Sequence, residues 1–207
     1  MLKRLTWYGL IAIACYMTIM VGCTRPPPRN NKNVCSIFKQ YPSWYWDASK
    51  VRKRWGVPIS VQMAIIYQES RFQATAKPAR KKILWVIPWT RPTSAYGYSQ
   101  AVDGTWKRYQ KHTGKHGADR DTFSDAVDFI GWYASLVHRR LGISKRNARD
   151  LYLAYHEGLG GYSSGSYLKK QWLVRVANGV STRAAIYRKQ LLICEKKLPQ
   201  KSWWRFW

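Results

Sequence analysis

The segment ending at Cys194 carries Leu173, Val176, Val180, Ala184, Tyr187, Leu191 and Cys194 three or four residues apart. Only an α-helix gathers such a stripe onto one face. The same spacing recurs at Ala126, Ile130, Tyr133, Val137 and Leu141, after the capping residue types Thr122 and Ser124. It recurs at Val61, Ala64, Ile65 and Gln68 behind Pro58, and at Ala48, Val51 and Trp55 behind Asp47, read as a cap. Residues 105–111 and 147–155 read as two further helices. Gly158, Gly160, Gly161 and Gly165 read as a flexible turn, and Gly179 weakens the last helix without breaking it. There is no internal repeat and no alternation long enough for a large sheet. The expected fold class is therefore mainly α, in one domain. Residues 71–96 form a long connection with Pro78, Pro88 and Pro92, the basic run Arg80-Lys81-Lys82, Trp85 and Trp89, and a short extended piece at 83–87. Connections of this length are functional or disordered.

The first residues read as a leader. Lys3 and Arg4 precede an apolar run over 5–21, which ends Met20-Val21-Gly22-Cys23. Small residues before a cysteine suit cleavage and lipidation at Cys23; the competing reading is a single membrane-spanning anchor. The polar, proline-rich stretch from Arg25 to Asn33 favours a tether, and Thr24 in place of Asp fits sorting to the outer membrane. The expected organisation is a signal peptide over 1–22, lipidated Cys23 and a tether over 23–34, a helical domain over 35–197 and a Trp-rich basic tail over 198–207. The domain is then expected at the periplasmic face of the outer membrane of a Gram-negative cell, with the membrane as a partner through the lipid.

Of four cysteines, Cys15 leaves with the leader and Cys23 takes the lipid. Cys35 and Cys194 remain, and an oxidising compartment makes a disulfide between them the expectation over two buried thiols. Closing so long a loop contributes ~4–5 kcal/mol in the chain-entropy model.

Acids are few: 10 Asp+Glu against 36 Lys+Arg, a formal net charge of +26. Such a surface seeks a polyanion. Outside the cytoplasm, wall polymer and anionic lipid come before nucleic acid, and no nucleic-acid partner is expected. Asp47 reads as a cap; Asp119, Asp121, Asp125, Asp128 and Asp150 read as outward or flanking groups, and Glu195 sits beside Lys196 and Lys197. Glu69, Asp103 and Glu157 stand apart. Glu69 ends an apolar helix, where partial desolvation raises a carboxyl pKa and suits it to protonate a glycosidic oxygen; a salt-bridged helix-end Glu is the plainer alternative. His112, His116, His138 and His156 have no metal-ligand spacing and no phosphate loop is present, so neither metal nor cofactor is expected.

Three patches in order decide between those alternatives: Gln68-Glu69-Ser70-Arg71-Phe72; Ala95-Tyr96-Gly97-Tyr98-Ser99-Gln100 followed by Thr105-Trp106; and Leu153-Ala154-Tyr155-His156-Glu157-Gly158. Together they resemble the soluble-type lytic transglycosylases, relatives of goose-type lysozyme, whose patterns are Glu-Ser-x-Phe, Gly-Leu-Met-Gln with a later Thr-Trp, and Ala-Tyr-Asn-x-Gly. The resemblance spans about residues 50–190. It departs from the family at Tyr98-Ser99, at Asp103 where proline is common, at His156 in place of Asn, and in a longer gap between Glu69 and Gly97.

The resemblance implies a lysozyme-like helical domain that cleaves the N-acetylmuramic acid–N-acetylglucosamine bond of peptidoglycan glycan strands. It implies Glu69 as the one catalytic acid and base. Ser70, Gly97, Tyr98, Ser99, Gln100, Tyr155 and His156 fall at substrate positions, with Ser70 and Gln100 either bonding the sugar or orienting Glu69, Tyr155 either touching sugar or holding Glu69, and His156 either binding the N-acetyl group or carrying no role. Asp103 and Glu157 are the runner-up carboxylates; either one across a cleft from Glu69 would allow simple hydrolysis. A non-catalytic wall-binding scaffold is the other alternative, and envelope machinery is a further partner class compatible with that placement.

Overall fold

The structure, a computed structural model, describes residues 25–79 and 93–199, with the backbone of 82–83 and 87–88. The leader with Cys23, the run at 80–81, Trp85, Trp89 and the aromatic tail at 203–207 lie outside the described residues.

Seven α-helices make up the described fold: α1 Val34–Gln40, α2 Pro42–Trp55, α3 Ile59–Ser70, α4 Asp103–Thr113, α5 Phe123–Leu141, α6 Ala148–Ser163 and α7 Gln171–Cys194. Short 3-10 turns follow at Ser166–Lys169 and Glu195–Lys197. The expected extended piece is a minimal ribbon, β1 Lys82–Ile83 antiparallel to β2 Ile87–Pro88, with Lys82 opposite Pro88 and Ile83 opposite Ile87. The mainly α, single-domain expectation therefore holds.

Helix α3 is the centre. From Ile59 to Tyr67 every residue is buried, because α2, α5, α6 and α7 all pack on it. A helix enclosed on all sides needs no polar face. The one long polar side chain within that buried stretch, Gln62, donates its amide to Val57 O at 2.8 Å and to Ala48 O at 3.2 Å, which satisfies carbonyls at the α2–α3 corner.

Asp47 is not a cap. It lies inside α2, one turn before Lys50 at 3.9 Å. The helix starts earlier, at Pro42, which lacks the N–H that a first-turn residue leaves unbonded. Burial of Trp44 and Tyr45 adds the extra turn: the Trp44 ring stacks on Phe123 with centroids 4.1 Å apart. The glycines from 158 to 165 also differ from expectation. Gly158 (φ 75°, ψ 171°) interrupts α6, but the helix resumes to Ser163, so they form a kink rather than one loose turn.

Asp128 overturns its outward reading. It is buried on α5 and accepts from Trp55 Nε1 at 2.7 Å, Tyr109 OH at 2.8 Å and Lys115 Nζ at 2.8 Å. Burial pushes its pKa up, but the hydrogen bonds from Lys115, Trp55 and Tyr109 outweigh that and hold the carboxyl below its usual range. The aspartate thus ties α2, α4 and the loop after α4 to α5 from inside.

The disulfide expected between Cys35 and Cys194 is present, with Cα atoms 6.1 Å apart across 159 residues of chain. It staples α1 to the end of α7, where Val34 N–H also donates to Gln190 Oε1 at 2.9 Å.

Helices α2 and α5 touch at Gly131, where an added Cβ would stand 2.4 Å from Val51 Cγ1 and 2.7 Å from Trp55 Cδ1. Gly131→Ala is expected to destabilise by about 1–3 kcal/mol through overpacking. Asp128→Ala is expected to cost about 3–5 kcal/mol by leaving Lys115 and two ring donors unpaired. Urea denaturation of each variant reads both values.

Candidate active site

Glu69 occupies the last turn of α3, and the chain reverses sharply behind it. Arg71 (φ 53°) and Phe72 (φ 65°) are both left-handed, a conformation that costs an L-residue of order 1 kcal/mol. The fold holds it because Phe72 is driven into the core beside Trp44 and Tyr67. Among the described residues, the only other non-glycine residue with positive φ is Gln100 (φ 50°). All three sit in the first two sequence patches, and strain of this kind clusters at functional sites.

The second patch is built to support the first. Gly97 (φ 77°) tolerates no side chain, since a Cβ there would lie 2.1 Å from the Arg120 carbonyl oxygen. Its N–H donates to Ala76 O at 3.0 Å. The Gln100 amide donates to both Ala76 O and Gly97 O at 2.9 Å. Gln100 therefore binds its own turn to the segment that follows Glu69.

The third patch supplies the groups around the carboxyl. Tyr152 hydrogen-bonds the Glu69 side chain. Tyr155 donates to the Ser99 carbonyl at 2.5 Å, and its ring meets Tyr133 with centroids 5.2 Å apart. Burial raises the pKa of both tyrosines, and the charge of Glu69 adds to the rise. Glu69 itself is lifted from the usual 4.5 to about 7; desolvation is the cause, opposed in part by the Tyr152 hydrogen bond. The residue is half-buried, and its burial makes the acid reluctant to ionise.

The remaining predicted site residues separate into three groups. Ser70, Tyr98 and Ser99 turn inward and are buried. Ser70 Oγ donates to Ile66 O, and Tyr98 stands edge-on to Trp44 and Phe123 in the core. Ser99 is fully buried and acts through its backbone carbonyl. His156 is exposed, stands edge-on to half-exposed Trp172 at 5.3 Å, and pairs with Glu157 Oε1 at 3.0 Å.

Neither runner-up carboxylate acts on Glu69, and each is ion-paired elsewhere. Asp103 begins α4 and pairs with Arg120 at 2.8 Å. The Glu157 side chain is buried between Lys170 at 2.8 Å, the Ser166 hydroxyl and His156. The Lys170 and Ser166 hydrogen bonds bring its pKa down to about 2. Glu157 is a fixed anion that holds the loop after α6, and it does not contribute to the shift of Glu69. A cavity of about 600 Å³ among residues such as Pro58, Arg146 and Arg188 lies at the other end of α3. It is separate from this chemistry.

A protein-family model described as "Transglycosylase SLT domain" matches residues 11–194. The chain belongs to the transglycosylase SLT family. No match was found among curated proteins. Membership carries a peptidoglycan-related function of the lytic transglycosylase type.

Within this SLT domain, the site residue that the sequence reading missed is Tyr152. It precedes Tyr155 by three positions, so both side chains share one face of α6. That spacing was the available signal, but the motif resemblance drew attention to Tyr155 alone. Among the described residues no cluster of His, Cys, Asp and Glu could hold a metal ion.

The raised pKa of Glu69 sets the sign of a stability change. Between pH 4.5 and about 7 the folded SLT domain binds a proton that the unfolded chain releases. The contribution is complete below 4.5 and is lost as pH rises through 7. At pH 8, Glu69→Gln is therefore expected to be more stable than the parent by up to about 3 kcal/mol, with the difference vanishing near pH 4; denaturation at both pH values checks this. Tyr152→Phe removes the hydrogen bond that lowers the Glu69 pKa, so the titration midpoint of Glu69, followed by carboxyl NMR, is expected to move upward.

Proposed function

We propose that this protein is a peptidoglycan lytic transglycosylase that cleaves the N-acetylmuramic acid–N-acetylglucosamine bond and releases 1,6-anhydro-muramic products. The observation that carries the reading is a single desolvated carboxyl at the end of α3, poised near neutrality, with no second carboxylate acting on it.

Protonated Glu69 donates to the glycosidic oxygen as the bond to muramic C1 breaks, and positive charge develops on the sugar ring. The Glu69 carboxylate then accepts the proton of the muramic C6 hydroxyl. That oxygen attacks C1 and closes the 1,6-anhydro ring. The acid is regenerated and no water is consumed. A group with pKa about 7 serves both directions because both protonation states are populated at neutral pH. Tyr152 steadies the carboxylate. Tyr155, fixed on the Ser99 carbonyl, holds the wall behind it. Exposed His156 and Trp172 offer sugar contacts on the rim.

The leader and Cys23 make the working location the periplasmic face of the outer membrane, with a lipid anchor and the tether keeping the domain within reach of glycan strands. An intact mass of the membrane-extracted protein that lacks residues 1–22 and carries added acyl chains supports this; an unprocessed chain sinks it.

Incubating the full chain with purified peptidoglycan is expected to release 1,6-anhydro muropeptides, identified by mass spectrometry. Glu69→Gln is expected to lower their release by about 10²–10⁴-fold or more. Products with only reducing ends would make the enzyme a hydrolase, and no release with retained binding would make it a scaffold.

A further inference from the structure

The start of α3, at the opposite end of the helix from Glu69, lacks the partners that a helix start needs. Pro58 stands at the cap position without a side-chain hydrogen bond, and the first turn holds no acidic residue. The first bonds to Pro58 O come from Val61 and Gln62. Among the described residues the N–H groups of Ile59 and Ser60 therefore have no acceptor. Such an end carries open donors and a partial positive charge.

The cavity of about 600 Å³ opens on this end. Ser60 lines it and is only 5% exposed, yet among the described residues its hydroxyl has no hydrogen-bond partner. A buried hydroxyl left unbonded is costly, so it marks a place where an acceptor is missing. Ser181, Arg146 and Arg188 line the same cavity. Among the described residues neither arginine forms an ion pair. The carboxylate in the lining, Glu195, is already taken by Arg52 at 2.7 Å and the Tyr45 hydroxyl at 3.2 Å.

The rest of the wall is apolar, with Val61, Ala148, Ala184, Leu191 and Leu192. The stretch of α7 that borders the cavity, from Ser181 to Leu192, is about 16 Å long. Its apolar surface runs on into solvent, since Leu192 and Ile193 are 77% and 78% exposed.

These features call for a molecule with an anionic head and an apolar body. Two backbone N–H groups, two hydroxyls and two guanidinium groups suit a phosphate, whose oxygens outnumber those of a carboxylate. We propose that the cavity at the start of α3 binds the phosphate head of an anionic membrane lipid, with part of an acyl chain lying along α7 toward Leu192. The proposal goes beyond the glycan reading and is independent of it, because Glu69 lies about 15 Å away along α3.

The test is calorimetry on the full chain with dihexanoyl phosphatidylglycerol below its micelle concentration, beside glycerol phosphate (head without chain) and octanoate (carboxylate with chain). The parent is expected to bind the lipid at least about tenfold more tightly than either control. Arg146→Gln and Arg188→Gln are each expected to weaken the lipid about tenfold, and Leu192→Ser on the order of fivefold. Glycerol phosphate bound as tightly as the lipid makes a free phosphate the ligand, and octanoate bound as tightly makes it a carboxylate; either result overturns the proposal. So does an absence of lipid binding, or lipid binding that both arginine variants leave unchanged, which places the lipid elsewhere on the chain. Both arginines and Leu192 are exposed, so replacing them leaves the core intact.

Discussion

The enclosure of α3 by four other helices is the constraint on which the molecule depends. A helix apolar on every side is stable only inside a complete set of partners, so its last turn is positioned from several directions at once. Glu69 inherits that precision. Its desolvation comes from the same packing: the tyrosine-bearing face of α6 closes over the end of the helix, and Phe72 pulls the following chain away from it. Stability and reactivity are therefore set by one body of contacts, and the left-handed turn at Arg71 and Phe72 is its local cost.

The contrast between Asp128, Glu157 and Glu69 shows how environment assigns roles to the same chemical group. Asp128 is buried yet ionised, because a lysine and two ring donors supply what water would have supplied. Glu157 is drawn further down by Lys170 and Ser166. Glu69 receives only Tyr152, and one neutral donor does not offset burial. In a chain with 36 basic residues, keeping cations away from one carboxyl is itself a structural achievement: the arginine two positions later, Arg71, is turned onto Tyr67 instead.

Periodicity in the sequence revealed much of this. The stripes behind Thr122 and Pro58 and along 173–194 became α5, α3 and α7, because each stripe was broad and uninterrupted. The Cys35–Cys194 bridge followed from compartment and number. The errors share a cause. Asp47 looked like a cap and Asp128 like a surface group because both were judged from their neighbours in the chain, whereas Trp44–Phe123 stacking and the Lys115 and Tyr109 donors come from far away in sequence. The inward turn of Tyr98 was invisible for the same reason. Motif patches located Glu69, but whether a carboxyl is desolvated is a property of the assembled surroundings, and only the fold shows it.

The closure of α1 on α7 also bears on how such a chain is made. Residues 34 and 35 find their covalent and hydrogen-bonded partners at 194 and 190, so among the described residues the first helix waits for the last. Contacts this distant in sequence slow folding, and they make completion conditional on an intact chain. A nascent or truncated polypeptide that ends short of Gln190 leaves Val34 and Cys35 uncovered. The bond that closes the domain thereby acts as a check on synthesis as well as a brace.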